Sequence, residues 1–368
     1  MSALVLIDGI QHLRALASTP RLAGSRANAE ARAYCARELA RLEFRVAERS
    51  FGYSQFPARL ATPCAGVWGA LTIAIAGVLA RNGSAGASVA VSLIALAILG
   101  VTGSWLARRG VLEFPGMRRE GTNIEAVRGD GVPNVWLVAH TDTKSQLVPM
   151  LGRVASVVVL ATSWLAMMIL TTITLGTEQH FASVVWGVVA GVGILGALGV
   201  AATIVGNRSP GAVDNASGVA VVLAAAELLP RDARVGILIT DAEEMGLGGA
   251  RSAARTLARA TAINVDGVDD HGALSAMYSG SRPASLLRTV SDAAAAEQEP
   301  LKLRRLIPGV LVDGLAFADA GWEVVTLSRG TARTLRRIHT QSDSLDHMTG
   351  AGISVTARVV SRIVQELA

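Results

Sequence analysis

"NVWLVAHTDTKSQLVPMLGRVASVVVLATSWLAMMIL", residues 134–170, decides how this chain is read. It opens on a short apolar run that delivers His140 and Asp142 at its end. A run of this length bounded by polar residues has the form of a strand buried on both faces. Beyond Arg153 the formal charges stop, and Val154 to Thr177 contains no Asp, Glu, Lys or Arg. A candidate catalytic loop therefore runs into a segment long enough to cross a bilayer, which takes roughly 20 helical residues.

Working outward, three more uncharged stretches appear: Leu60 to Ala80, Asn82 to Ala107 and Gln179 to Asn207. Pro63 and Cys64 lie near the start of the first, which reduces its expected helical core to Ala65 to Ala80. Buried core helices rarely come as closely spaced pairs with no polar face, so the four stretches read as two transmembrane hairpins, residues 60–107 and 147–207. A hydrophobic fraction of 51% with 17% charged residues agrees with a lipid bilayer as a partner. Arg59, Arg108, Arg109, Arg118, Arg119, Lys144, Arg153 and Arg208 flank the spans on one side, against Arg81 and Glu178 at the tips. By the positive-inside rule, the reading is an integral protein of the cell membrane with its bulk in the cytoplasm.

The net charge of +5 comes mainly from scattered arginines without aromatic interleaving, which argues against nucleic acid as a partner. Two cysteines, Cys35 and Cys64, make neither a disulfide framework nor a cysteine metal site. The N-terminal "MSALVLIDGI" has no basic n-region and is interrupted by Asp8, so it does not read as a secretory signal.

With the hairpins set aside, residues 1–59, 108–146 and 208–368 remain and are expected to form one discontinuous domain. "SRANAEARAYCARELARLEFRV" favours helix. "NIEAV", "NVWLVAH", "RVGILIT", "TAINVD" and "EVVTLS" read as strands, separated by helices near 216–229, 250–258, 285–295 and 352–367. This alternation predicts an α/β fold, a sheet flanked by helices and interrupted by the two hairpins.

Acidic residues and histidines gather where those strands end: "AHTD", "GAVDNASGVA", "TDAEEMGLGGARS", "INVDGVDD" and "IHTQSDSLD". Open α/β sheets build their sites there. Each block alone has a plainer explanation, since Asp caps helices and adjacent glutamates are often solvated. Together they offer two histidines and several carboxylates, a donor set suited to metal.

The ordered blocks resemble the M28 family of zinc metallopeptidases: "HTD" at 140–142, "GAVDNASGVA" at 211–220, "EEMGLGGA" at 243–250, "NVD" at 264–266 and "HTQSD" at 339–343. The likeness reaches the N-terminal "RLAGSRANAEARAYCARELARLEF" and covers nearly all residues outside the hairpins. It implies a zinc-exopeptidase-like fold with a mixed sheet and two zinc ions per chain. Asp214 would bridge the ions, with His140 and Asp266 completing one site and Glu244 and His339 the other. Glu243 would be the general base, and Asp142 would accept the second ring N–H of His140 and fix its tautomer. The family's cis peptide after the bridging Asp would fall at Asp214–Asn215. His12, His180, His271 and His347 lack a ligand context.

Two departures stand out: Gly314 follows Asp313 where relatives carry His, and Ala250 takes the place of a Ser. The implied activity is hydrolysis of peptide substrates by a membrane-embedded exopeptidase, foremost an aminopeptidase; a free-carboxylate specificity stays open, with Arg304 and Arg305 assigned mostly to solvent. The other readings are a one-zinc, glutaminyl-cyclase-like acyltransferase and an inactive receptor or scaffold. Because the second hairpin leaves the chain between His140 and Asp214, the active-site rim is expected near the bilayer surface, with a membrane-associated peptide as substrate.

Overall fold

The computed structural model describes residues 9–177, 179–307 and 309–367. Asp8 and Glu178, which entered the leader and sidedness readings, lie outside the described residues. The chain divides into two compact units. One is built from the chain up to Tyr53, from Arg118–Ser145 and from Gly206 onward; the other comprises Ser54–Met117 and Gln146–Val205.

The first unit is organised by a mixed sheet of eight strands: β1 (Arg45–Ser54), β2 (Arg118–Arg128), β3 (Val135–His140), β4 (Val235–Thr240), β5 (Thr261–Val268), β6 (Leu274–Tyr278), β7 (Leu301–Arg305) and β8 (Glu323–Arg329). Their order is β1-β2-β4-β3-β5-β8-β6-β7. β4, β3, β5 and β8 run parallel, while β2 and β6 join them antiparallel. Every residue of β3 and β4 is buried, which explains their unbroken apolar sequence.

Alternate residues of β3 serve two cores. Val135, Leu137 and Ala139 pack with the Gly218–Leu228, Ala284–Ala296 and Ala351–Leu367 helices. Trp136 and Val138 pack with Gly248–Thr256, Asp313–Asp319 and Trp322. Helices thus cover both faces of the sheet, as the α/β reading expected. Gly236 faces Trp136 across the β3–β4 register, and a Cβ there would lie 2.5 Å from the indole.

The second unit contains four helices long and apolar enough to cross a membrane: Pro57–Arg81, Ala85–Glu113, Met150–Gly176 and Ser183–Ala201. Small residues let them pack closely. A Cβ on Gly66 would meet the backbone N of Ala201 at 2.4 Å, and one on Gly196 the backbone N of Leu160 at 2.7 Å. Leu71, Val78, Leu93, Ile94, Val101, Leu165, Val184 and Leu195 point outward and are exposed.

Element boundaries differ from the sequence reading in physically explicable places. Pro63 does not shorten the first apolar helix: it lies where the wider π-helical turn Pro57–Ala61 passes into Thr62–Arg81, and the helix runs through it. The third begins at Met150 and includes Arg153, and the fourth ends at Ala201, well short of Asn207. The N-terminal helix stops at Arg41, and Arg45 onward is the unexpected β1. The edge strand β7, largely exposed and carrying Lys302, Arg304 and Arg305, has no apolar alternation by which to recognise it.

Candidate active site

Five segments meet at the C-terminal edge of the parallel strands. His140 is the last residue of β3, Glu243 and Glu244 follow β4, Asp266 lies near the end of β5, and Asp214 lies in the irregular turn before the Gly218–Leu228 helix. His339 enters from the segment just after the Ala332–Arg337 helix. All six side chains are buried or nearly so.

Asp214 lies at the centre. One carboxylate oxygen is 3.3 Å from His140 Nε2, and the other is 3.0 Å from His339 Nε2. On the first side, His140 Nε2 also has Asp266 at 3.8 Å and Glu243 at 3.9 Å. On the second, Glu244 Oε1 is 3.3 Å from His339 Nε2. His140, Glu243 and Asp266 offer ligand atoms all within 4.8 Å of one another, and so do Asp214, Glu244 and His339. Imidazole nitrogens and carboxylate oxygens in two such groups form a donor set that fits zinc. His12, His180, His271 and His347 belong to neither group.

Backbone anchoring explains this convergence. Asp142 is fully buried, and its two carboxylate oxygens accept the N–H groups of Glu243 at 3.0 Å and Glu244 at 3.1 Å. The partner of His140 Nδ1 is the backbone carbonyl of Asp142, at 3.0 Å, while the nearer carboxylate oxygen is 3.7 Å away. The tautomer is therefore set by the Asp142 main chain, and its side chain holds the glutamate turn. Ala242 and Leu247 bracket that turn with positive φ, and His339 also has positive φ. Such conformations in non-glycine residues concentrate where a site over-determines its backbone.

The Asp214 turn is clamped from the far end of the sequence. Asp343 accepts the N–H groups of Val213 at 2.7 Å and Asp214 at 3.1 Å. Asn215 Nδ2 donates to the Val265 carbonyl, and its Oδ1 accepts from Gly218 and Gly267, tying the turn to β5. The Asp214–Asn215 peptide is cis. Buried Arg21 donates to the carbonyls of Thr141, Pro210 and Gly211, joining the "HTD" loop to the same turn. Asp269 accepts from Thr334 and Arg337 and so fixes the helix that leads to His339.

Electrostatics at the site are dominated by crowded carboxylates. Burial, with help from Glu244, Asp266 and Asp313, pushes Glu243 well above the usual carboxylate range despite the opposing pull of His140. Burial would raise Asp214 as well, but hydrogen bonds from His140 and His339 outweigh it and hold Asp214 well below that range. Burial would lower both histidines, yet Glu243, Asp142, Asp214 and Asp266 raise His140 well above its ordinary value, and Glu244 and Asp214 raise His339. Four carboxylates packed this closely need cationic compensation, which Lys144 and the two histidines provide in part and a divalent metal would complete.

Lys144, Asp343, Arg21 and Asp269 take part in the site without having been singled out from sequence. Lys144 Nζ is 2.6 Å from Glu244 Oε2. One signal for it was present, since Lys144 and Lys302 are the chain's only lysines. Asp343 was visible as the last residue of the "HTQSD" block. Gly314 also finds a reason: a Cβ there would lie 2.4 Å from Thr326 Oγ1, so a larger residue would require Thr326 to move.

Solved structures share this fold. An aminopeptidase from Aneurinibacillus sp. strain AM-1 is 14% identical with a TM-score of 0.58, covering 98% of this chain and 93% of that one. A zinc aminopeptidase from Bacillus subtilis is 15% identical with a TM-score of 0.55, covering 97% and 94%. A glutaminyl cyclase from Fimbriiglobus ruber is 13% identical with a TM-score of 0.58, covering 99% and 96%. No curated protein matches the chain. The model of peptidase family M28 matches residues 183–364, the stretch that carries Asp214, both glutamates, Asp266 and His339. That match and this shared architecture support peptidase family M28 for the chain.

Proposed function

We propose that this chain is a membrane-embedded, zinc-dependent exopeptidase, an aminopeptidase, with its catalytic unit in the cytoplasm. The observation that carries the reading is the Asp214 carboxylate, which turns one oxygen to His140 and the other to His339 with further acidic donors on each side. Asp214 would bridge two zinc ions; His140 and Asp266 would complete one site, and Glu244 and His339 the other. When bound, zinc supplies Lewis acidity toward a water and toward the scissile carbonyl.

Glu243 is the general base. It takes a proton on a carboxylate oxygen from the water whose oxygen bonds to the carbonyl carbon, and delivers it to the amine nitrogen as the C–N bond breaks. Burial supports the role, because it raises this carboxyl above the usual carboxylate range and so helps it hold a proton between the two transfers. Asp142 keeps Glu243 and Glu244 in register, so that neighbouring side chains serve separate tasks. The membrane part of the proposal rests on four long apolar helices with many exposed, outward-facing Leu, Val and Ile side chains, which a soluble surface rarely gathers in this way.

Purified wild type and Glu243→Gln, assayed for zinc content and for cleavage of peptides with free or blocked amino termini, test the assignment. Wild type is expected to hold two zinc ions and require a free amino terminus, and the variant to keep the metal and lose hydrolysis by about 10²-fold or more. Loss of zinc in the variant would make Glu243 a ligand. Conversion of an N-terminal glutaminyl peptide to its cyclic product without chain cleavage would replace the peptidase with a cyclase, and absence of both metal and activity in wild type would leave a scaffold.

A further inference from the structure

We propose that the two metal sites are deliberately unequal: Lys144 makes the Asp214–Glu244–His339 site the weaker one, so the chain retains one ion firmly and takes its second from free metal. The inference rests on the two-zinc reading above and concerns how this chain's own residues divide affinity between the sites.

The outer environments of the two groups differ in charge. Glu244 Oε1 faces His339, whereas Oε2 forms a 2.6 Å ion pair with Lys144 Nζ, and the Lys144 N–H adds a 3.2 Å bond to Oε1. Both side chains of that pair are shielded, with exposures of 16% and 2%, so water screens the ammonium little. An ammonium on the far oxygen withdraws negative charge from the ligating oxygen. It would also repel a divalent cation held by Glu244 and His339, an effect strengthened by the low local dielectric. Among the described residues, no Lys or Arg forms an ion pair with Asp266 or Glu243 on the other side.

The histidines differ in the same direction. His140 Nδ1 has the Asp142 carbonyl at 3.0 Å, which fixes the ring with Nε2 as the free donor to metal. His339 Nδ1 is buried and has no hydrogen-bond partner among the protein atoms. Nothing in its surroundings selects the metal-binding tautomer or raises its basicity as the carbonyl does for His140. A carboxylate neutralised by Lys144 and an unsupported imidazole thus fall on one site, and the better-prepared ligands on the other.

Zinc titration of the detergent-solubilised, chelator-stripped full chain against a chromophoric competitor tests this. Wild type should bind in two steps, the second roughly 10- to 100-fold weaker, the range over which outer partners change metal affinity. Lys144→Met, which keeps the apolar stem and removes the charge, should tighten the second step about tenfold or more and leave the first unchanged. Lys144→Gln should tighten it likewise and covers the case in which the methionine variant fails to fold. Glu244→Gln should abolish the weaker step. Two equal steps in wild type, an unchanged or weakened second step in both Lys144 variants, or loss of the tighter step in Glu244→Gln would each overturn the proposal. Binding of no zinc by wild type would instead remove the metal-centre reading itself, and this inference with it.

Discussion

Asp142 shows how much one buried carboxylate can organise. Both its oxygens are used by the N–H groups of Glu243 and Glu244, while its carbonyl meets His140 Nδ1. In Asp142→Asn one acceptor becomes a donor facing an N–H, leaving a buried amide unpaired. The expected cost is about 2 kcal/mol of stability, with slower hydrolysis as the glutamate turn loosens. Denaturation midpoints of the metal-stripped variant and wild type, with steady-state rates beside them, provide the check; equal midpoints would exclude this anchoring. The sequence showed Asp142 as a neighbour of His140, a proposed ligand, two residues on. That its side chain would reach across to the β4 turn depends on the β3–β4 pairing, which no local pattern reports.

At the scale of elements, the closing helix Ala351–Leu367 is started by a residue remote in sequence. Asp270, just past β5, accepts N–H groups from Thr349, Gly350 and Gly352 and the Thr349 hydroxyl. Burial works to raise its carboxyl, but these donors prevail and hold it below the ordinary value. A lowered folded-state pKa means that the stabilisation is complete above the unfolded value, near 4, and is lost as pH falls through the folded one. Asp270→Ala is therefore expected to cost about 1 kcal/mol at pH 7, by loss of an N-cap, with the difference from wild type shrinking below about pH 4. Unfolding midpoints measured across that range test the sign; a difference that grew on acidification would refute the cap. The helix was legible from its periodic apolar residues, but its cap was not, since the capping residue comes from another element.

For the whole molecule, the reading joins a mixed α/β unit to a unit of four apolar helices. Arginine placement near the apolar segments supports a cytoplasmic catalytic unit, because basic residues are retained on the side of insertion. Protease added to sealed inside-out vesicles should digest the unit that carries His140 and His339, and protease outside right-side-out vesicles should spare it. The reverse pattern would place the site on the outer face and change the class of peptide available to it. The apolar helices were plain in composition, whereas their packing was not: it depends on which glycines face a neighbour, such as Gly66 against Ala201, and which face open space, such as Gly100.

Chemistry-bearing residues and their order were determined by the sequence, because ligand types, apolar strand runs and uncharged spans are properties of short segments. "HTD", "VDNASG", "EE", "NVD" and "HTQSD" announce the proposed donors, and "NVWLVAH" announces the strand that presents the first of them. Tertiary structure alone decided what surrounds them: Asp343 on the Asp214 turn, the Asp142 carbonyl on His140, Lys144 on Glu244 and no protein partner on His339 Nδ1. These pairings span from two to 130 residues of chain. A ligand can be recognised by its own chemistry, but its affinity and protonation are set by whatever the fold brings against it.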